Sequence, residues 1–362
     1  MVLLGDKLWG GAIMREFYQK NMYGVWREGE KVSFRTEEEH QVRIYVENAG
    51  KRAEFTVKLF LPEAAAREKF HGKCPFIICM HPIQPKDYAL EQGYGVFFMD
   101  SYQIASDNYE HKGCFYELYP YGKEPESQTG VLMAWAWGAS KVLDAVYAGL
   151  DEAAGLDAAG AMVTGVSRWG KATAVCGAFD ERFTMTIPAC SGAGGLALYA
   201  CKSKGSIYDF RSIGGPSEYT YGENEPLSCL QSDAEKGWFN DKFAEYQSEE
   251  AIPVNQYMLP VMAASPERYY FIIGAYMGED WVNSPAMWEC YKKADELYAQ
   301  KGLADHLAVH FHKEGHAVLE EDLKLLIAYF NEMHYGMKSG VNMRELKTAV
   351  FDVALLGKKH KE

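Results

Sequence analysis

Ser167 lies in the run Ala161-Met162-Val163-Thr164-Gly165-Val166-Ser167-Arg168-Trp169-Gly170-Lys171-Ala172, an apolar segment that meets a serine and continues as a helix-compatible stretch. A serine on a sharp strand-to-helix turn lifts its hydroxyl to the helix start. There, free N–H groups and the helix dipole favour developing negative charge. Gly165, two residues earlier, allows the backbone to bend without a clash. The second glycine usual for such a turn, two residues after the serine, is absent: Trp169 stands there and Gly170 follows. The chemistry this pattern offers is attack by an activated hydroxyl. A serine that only caps a helix is the plainer reading of the same residues.

An activated serine needs a base. Four histidines, His306, His310, His312 and His316, fall within eleven residues. His310 and His312 share one face of a strand, a spacing that could suit zinc, but no carboxylate at helix spacing completes a site, and strand residues are expected. His316 follows Gly315 on a loop after the last apolar run and before a helical pattern, the place of the general base when the order is serine, acid, histidine. The acid is expected after the preceding strand, in Met277-Gly278-Glu279-Asp280-Trp281, with Asp280 first and Glu279 as the alternative. Its role is to fix the imidazole tautomer and stabilise the imidazolium.

Short apolar runs at 75–80, 95–99, 161–166, 183–188, 269–276 and 307–311 predict the strands that position these groups, and helical patterns lie near 130–150, 168–178, 285–301 and 317–332. Strands without polar alternation, interleaved with helices, imply a mostly parallel sheet covered on both faces. Residues 31–62 predict an antiparallel hairpin: Val42, Ile44 and Val46 alternate, Asn48-Ala49-Gly50 turns, and Phe55, Val57, Leu59 and Leu61 alternate. The expected fold is an α/β-hydrolase three-layer sandwich in a single domain over 1–362. The Gly-, Ser- and Tyr-rich stretch 192–260 is a lid or rim over the site. Residues 340–362 read as one exposed helix with a basic tail.

The 362 residues are 48% hydrophobic and carry a net charge of −13, enough for one large core and unfavourable for nucleic acid as a partner. Eight cysteines show no CxxC pair and read as buried thiols. No run approaches the roughly 18 apolar residues of a membrane span. The start, with no basic n-region, does not read as a secretion signal, so a cytoplasmic location is the expectation.

Over roughly residues 90–335 the sequence resembles carbohydrate esterases of the glucuronoyl esterase type, including their divergent bacterial relatives. The resemblance rests on Gly93-Tyr94-Gly95-Val96, Leu118-Tyr119-Pro120, Ala134-Trp135-Ala136-Trp137-Gly138 with Asp144, and the elbow Gly165–Lys171. It continues through Gly177-Ala178, Asp180-Glu181-Arg182-Phe183, Ser191-Gly192, Gly194-Gly195, Trp238-Phe239, Glu279-Asp280-Trp281 and Gly315-His316. It implies Ser167 as nucleophile, His316 as base, Arg168 as a charged donor to the oxyanion and Lys171 as a substrate-binding residue. Two cations this close to a helix start oppose its dipole, and an anionic or polyhydroxyl ligand is the expected compensation.

Two positions depart from the resemblance. A catalytic Glu found in many relatives after the next strand is here Cys190, which leaves the acid to Asp280. The relatives' Asp-Gln-His stretch is here Asn255-Gln256-Tyr257.

The implied activity is hydrolysis of a glucuronate or other carbohydrate ester, without cofactor or metal, on a small or oligosaccharide substrate. Trp238 and Trp281 are candidate sugar-stacking faces, core tryptophan being the plainer reading of each. The alternatives are an acetyl esterase or peptidase with the same three residues, and a catalytically weak binding or scaffold protein on the same fold.

Overall fold

In the computed structural model, residues 11–199, 207–208, 219–220, 225–277 and 280–341 are described. The chain first builds an antiparallel meander, β1 (Lys31–Thr36), β2 (Gln41–Asn48) and β3 (Lys51–Phe60). Val42, Ile44 and Val46 of β2 and Ala53, Phe55, Val57 and Leu59 of β3 are buried, as the alternation requires. The expected hairpin is β2–β3. β1 is an addition to it, pairing antiparallel with β2 from Lys31 opposite Glu47 to Thr36 opposite Val42. β1 buries none of its residues, so little in its sequence separates it from a loop.

Next come β4 (Cys74–Cys79), β5 (Gly95–Met99), β6 (Leu156–Val166) and β7 (Met185–Ala189). A separate two-stranded ladder joins β8 (Ile207–Tyr208) to β9 (Tyr219–Thr220), and the main sheet resumes with β10 (Tyr269–Met277) and β11 (Leu307–Glu314). The main sheet has nine strands in the order β1-β2-β3-β5-β4-β6-β7-β10-β11. From β5 to β11 every pairing is parallel. β4 and β7 are buried along their whole length, which is why their sequences run apolar without alternation. β6 starts earlier than its apolar run, at Leu156, which pairs with Cys74 before the register shifts.

Helices cover this sheet. Val131–Ala145 is mostly apolar, Trp135 and Trp137 included, and is almost wholly buried, packing against the helix Arg168–Phe179. The helices Ser284–Gln300 and Glu320–Tyr335 follow β10 and β11. The last begins three residues later than its sequence pattern, because residues 315–319 form the loop that carries His316.

The described parts of 192–260 pack into the body. Leu196, Leu230, Trp238, Phe239 and Phe243 are buried, and Asn240 N–H donates to the Met22 carbonyl at 2.8 Å. Six of the seven described cysteines are buried. Among the described residues no helix is long and apolar enough to cross a membrane. The helix expected over 340–362 lies, beyond residue 341, outside the described residues.

Candidate active site

β6 ends at Val166 and the chain turns at Ser167, whose φ of 63° and ψ of −128° are sparsely populated for an L-residue. Two hydrogen bonds of 2.9 Å hold the turn: Ser167 N–H donates to the Ala189 carbonyl, and Lys171 N–H to the Ser167 carbonyl. A Cβ at Gly165 would lie 2.6 Å from the Trp169 carbonyl oxygen, and one at Gly170 2.3 Å from that of Ala189. Gly170 therefore lets the helix approach β7. The glycine missing two places after the serine has moved by one residue. Trp169 is free to stack on His81, with ring centroids 4.6 Å apart and planes at 16°.

His81 follows β4 and packs beside the elbow. Burial, aided by the nearby charge of His316, pushes its imidazole down to about 4, so it stands neutral. Its buried Nδ1 has no hydrogen-bond partner among the described residues. This ring is an addition to the residues expected at the site.

The two cations after the serine have different surroundings. The Arg168 guanidinium pairs with Asp107, and the Asp107 carboxylate also accepts from the Trp238 indole N–H at 2.6 Å. The Arg168 side chain is 40% exposed. Lys171 is 1% exposed, and its Nζ donates to Glu225 at 2.6 Å and to the Ser191 carbonyl at 2.8 Å. The second Glu225 oxygen accepts from Ala193 N–H at 2.8 Å. Burial pushes the Glu225 carboxyl up, while Lys171 and the Ala193 N–H pull it back.

Glu235 is the outlier. Burial first, then the charge of Glu225, push its carboxyl up to about 8 against the pull of Lys171 and Arg168, and its Oε2 is buried without a partner. The expected compensation of the helix-start cations by a ligand is thus corrected: Asp107 and Glu225 already supply it. Asp107, Glu225 and Glu235 went unnoticed in the sequence because each sits in irregular chain, where no periodicity marks a residue as buried.

Trp238 is 3% exposed. Its indole N–H is bound to Asp107, and its ring carries Arg168 at 5.3 Å and Lys171 at 5.6 Å. It is a buried wall of the site and not the open stacking face expected of it. Trp281 is half-buried and packs on the exposed His316 ring, with centroids 4.8 Å apart. His316 stands on the loop after β11, and its charge is felt at both His81 and Glu225, which puts it at the same end of the sheet as Ser167. Glu279 and the Asp280 side chain lie outside the described residues; the Asp280 backbone opens a short helical turn, Asp280–Val282. Cys190 follows β7 and is buried, at a φ of 45°. His310 and His312 do lie on one face, but both turn their Nδ1 atoms to Asp322.

A mostly parallel sheet flanked by helices, with a serine on a strained elbow after one strand and a histidine on the loop after the last, defines an α/β hydrolase. The family described as glucuronyl esterase, fungi, matches residues 44–302, and the chain belongs to it. A multidomain esterase of Ruminococcus flavefaciens is 44% identical over 349 residues, which is 94% of this chain and 45% of that protein. A 4-O-methyl-glucuronoyl methylesterase of Hypocrea jecorina is 31% identical over 197 residues, 54% of this chain and 38% of that one. The chain thus spans less than half the length of these two relatives. The glucuronoyl esterase of Caldicellulosiruptor kristjansonii, of carbohydrate esterase family 15, superposes with a TM-score of 0.82 at 30% identity, covering 95% of this chain and 89% of that one.

The elbow geometry predicts that Gly170→Ala lowers stability by about 2–3 kcal/mol, since the new methyl must displace β7. An unchanged Tm would show that β7 yields freely. Glu235 gives a pH test. Its folded pKa lies above the unfolded value of about 4.3, so the wild type loses stability as pH rises from there through about 8. Glu235→Gln cannot ionise. Its Tm is expected to match the wild type near pH 4 and exceed it increasingly toward pH 9, as thermal melts across that range would show.

Proposed function

We propose that the chain is a carboxylic ester hydrolase that cleaves a carbohydrate ester, a glucuronate ester first among them, through a serine acyl-enzyme. The observation that carries this reading is the strained Ser167 at a helix start beside the half-exposed Arg168 guanidinium. In the proposed cycle His316 takes the Ser167 proton as Oγ attacks the ester carbonyl. The oxyanion is met by backbone N–H groups and by Arg168, whose carboxylate partner Asp107 holds the guanidinium in place. His316 then protonates the leaving alcohol, and a water activated by the same ring releases the uronic acid and frees the serine.

The acid behind His316 is Asp280, with Glu279 the alternative, because Cys190 cannot hold an imidazolium as a carboxylate does. Lys171 uses two of its three N–H donors on Glu225 and Ser191, and the third is proposed to meet a substrate oxygen. Trp281, beside the base, offers the sugar-stacking face. The substrate class draws on the names of the relatives, a 4-O-methyl-glucuronoyl methylesterase and a glucuronoyl esterase.

The test uses the methyl ester of 4-O-methylglucuronate and an acetylated xyloside as parallel substrates. Ser167→Ala is expected to abolish both turnover and labelling by a fluorophosphonate. Retained turnover would end the nucleophile assignment, and turnover of the acetate alone would favour an acetyl esterase. Arg168→Ala is expected to lower kcat by about 10²–10³-fold with KM little changed, since the oxyanion exists only near the transition state. Lys171→Ala is expected to raise KM more for the uronate ester than for the acetate. Because it strands Glu225, it is also expected to cost about 3–5 kcal/mol of stability, so its kinetics are read well below its melting range. Equal KM effects on the two esters would make Lys171 purely structural.

A further inference from the structure

His312 and Asp322 form a buried ion pair beneath the loop that carries the histidine assigned as base. The Asp322 side chain is fully buried at the third position of the helix Glu320–Tyr335, and both of its oxygens are used. Oδ1 meets His310 Nδ1 at 2.7 Å and His312 Nδ1 at 3.1 Å; Oδ2 meets His312 Nδ1 at 3.0 Å and accepts from Leu319 N–H at 2.7 Å. On its other side, His312 Nε2 lies 2.7 Å from the Gly315 carbonyl oxygen.

These contacts fix a protonation state. A carbonyl oxygen only accepts, so His312 Nε2 carries a hydrogen. An ionised Asp322 also only accepts, so Nδ1 carries one too, and His312 is an imidazolium. The surroundings favour that form. Burial by itself would push His312 down, but the hydrogen bond and charge of Asp322 outweigh it and hold the ring above its ordinary value. Asp322, which burial would push up, is held below the carboxylate range by His310 and His312. The other charged group facing His312 is Glu321, whose sign also favours the cation. On the neighbouring strand β10, its register partner is the apolar Ala275.

The loop from Gly315 to Leu319 is thus fastened at both ends to one ion pair. The Gly315 carbonyl belongs to the peptide unit that continues into His316, so His312 fixes the plane from which the His316 side chain departs. Gly315 has a φ of 119°, and without this contact its backbone could swing. We propose that the His312–Asp322 pair is a positioning unit for His316, holding the base toward the nucleophile from below. It touches no substrate and acts only through the loop. The inference rests on the reading of His316 as base.

The test compares His312→Gln, whose amide can still donate toward Gly315, with His312→Asn, which keeps only the donor toward Asp322, and with His316→Ala. On the methyl ester of 4-O-methylglucuronate, His312→Asn is expected to lower kcat by about 10²-fold with KM nearly unchanged, the scale of a misplaced catalytic group. His312→Gln is expected to recover part of that loss at a similar Tm. Wild-type kcat in both variants below their melting range would overturn the proposal. His316→Ala separates the two ideas. If it keeps the wild-type rate of fluorophosphonate labelling, the base assignment has failed; if labelling is lost while the His312 variants keep full kcat, only the positioning unit has failed. Should the variants not fold, nitrogen-15 NMR of the wild type decides. Both His312 ring nitrogens are expected to keep their hydrogens up to a pH above the ordinary imidazole value of about 6.5, and a ring that loses one below that value would overturn the proposal.

Discussion

A lysine ammonium excluded from water keeps its charge only against a close counter-charge, and that constraint organises the ground around Ser167. Lys171 is on the helix that starts at Ser167, so whatever neutralises it must come to the elbow. Glu225 does, and in accepting from Ala193 N–H it ties the chain after β7 to a segment more than thirty residues further on. Arg168, one turn earlier and 40% exposed, makes a weaker demand and is met by Asp107 from the chain after β5. Trp238 closes the arrangement by donating to Asp107 while its ring lies against both cations. Four stretches far apart in sequence thus converge on one helix end because two positive charges sit there. Removing Glu225 or Lys171 would leave its partner buried and unpaired, which costs more than the pair itself contributes.

The elbow shows how backbone crowding and side-chain chemistry trade places. Two close approaches need glycine: the turn itself at Gly165 and the contact with β7 at Gly170. Moving the second glycine by one residue leaves a side chain at position 169. The indole placed there stacks on His81 and lies 5.9 Å from Trp135 of the long buried helix. An aromatic column beside Ser167 takes the place of bare backbone. A search for the usual glycine spacing passes over this serine, although the physical requirement is met.

The parallel sheet was legible because its strands are buried on both faces, and the apolar runs at β4, β5, β7 and β10 coincide with the observed strands to within two residues. β1 was not, since an edge strand with no buried residue has no periodicity to read. Ser167 and His316 could be picked from local context: a strand running into a helix, and a loop after the last strand. Their surroundings could not. Asp107, Glu225 and Glu235 are carboxylates in irregular chain, and only the fold reveals that Glu225 is buried and the other two partly so. The His310–His312 spacing signalled one shared face correctly. Its partner, Asp322, is ten residues beyond His312, inside a helix whose opening acidic run, Glu320-Glu321-Asp322, reads as ordinary N-terminal charge.

The depth of the Lys171–Glu225 pair has a consequence for how ionic strength acts on the molecule. Mobile ions screen charges that solvent can reach, over a Debye length of about 8 Å at physiological salt, and hardly touch a pair sealed from it. The part of the field at Ser167 that this pair supplies is therefore set by the fold and changes little with salt, whereas the 40%-exposed Arg168 guanidinium is open to screening. The outer surface, with the chain's net charge of −13, behaves in the opposite way. It repels any polyanion in dilute solution and relents as salt is added. Salt thus acts on the outer surface and on the half-exposed Arg168, and leaves the sealed Lys171–Glu225 pair nearly untouched.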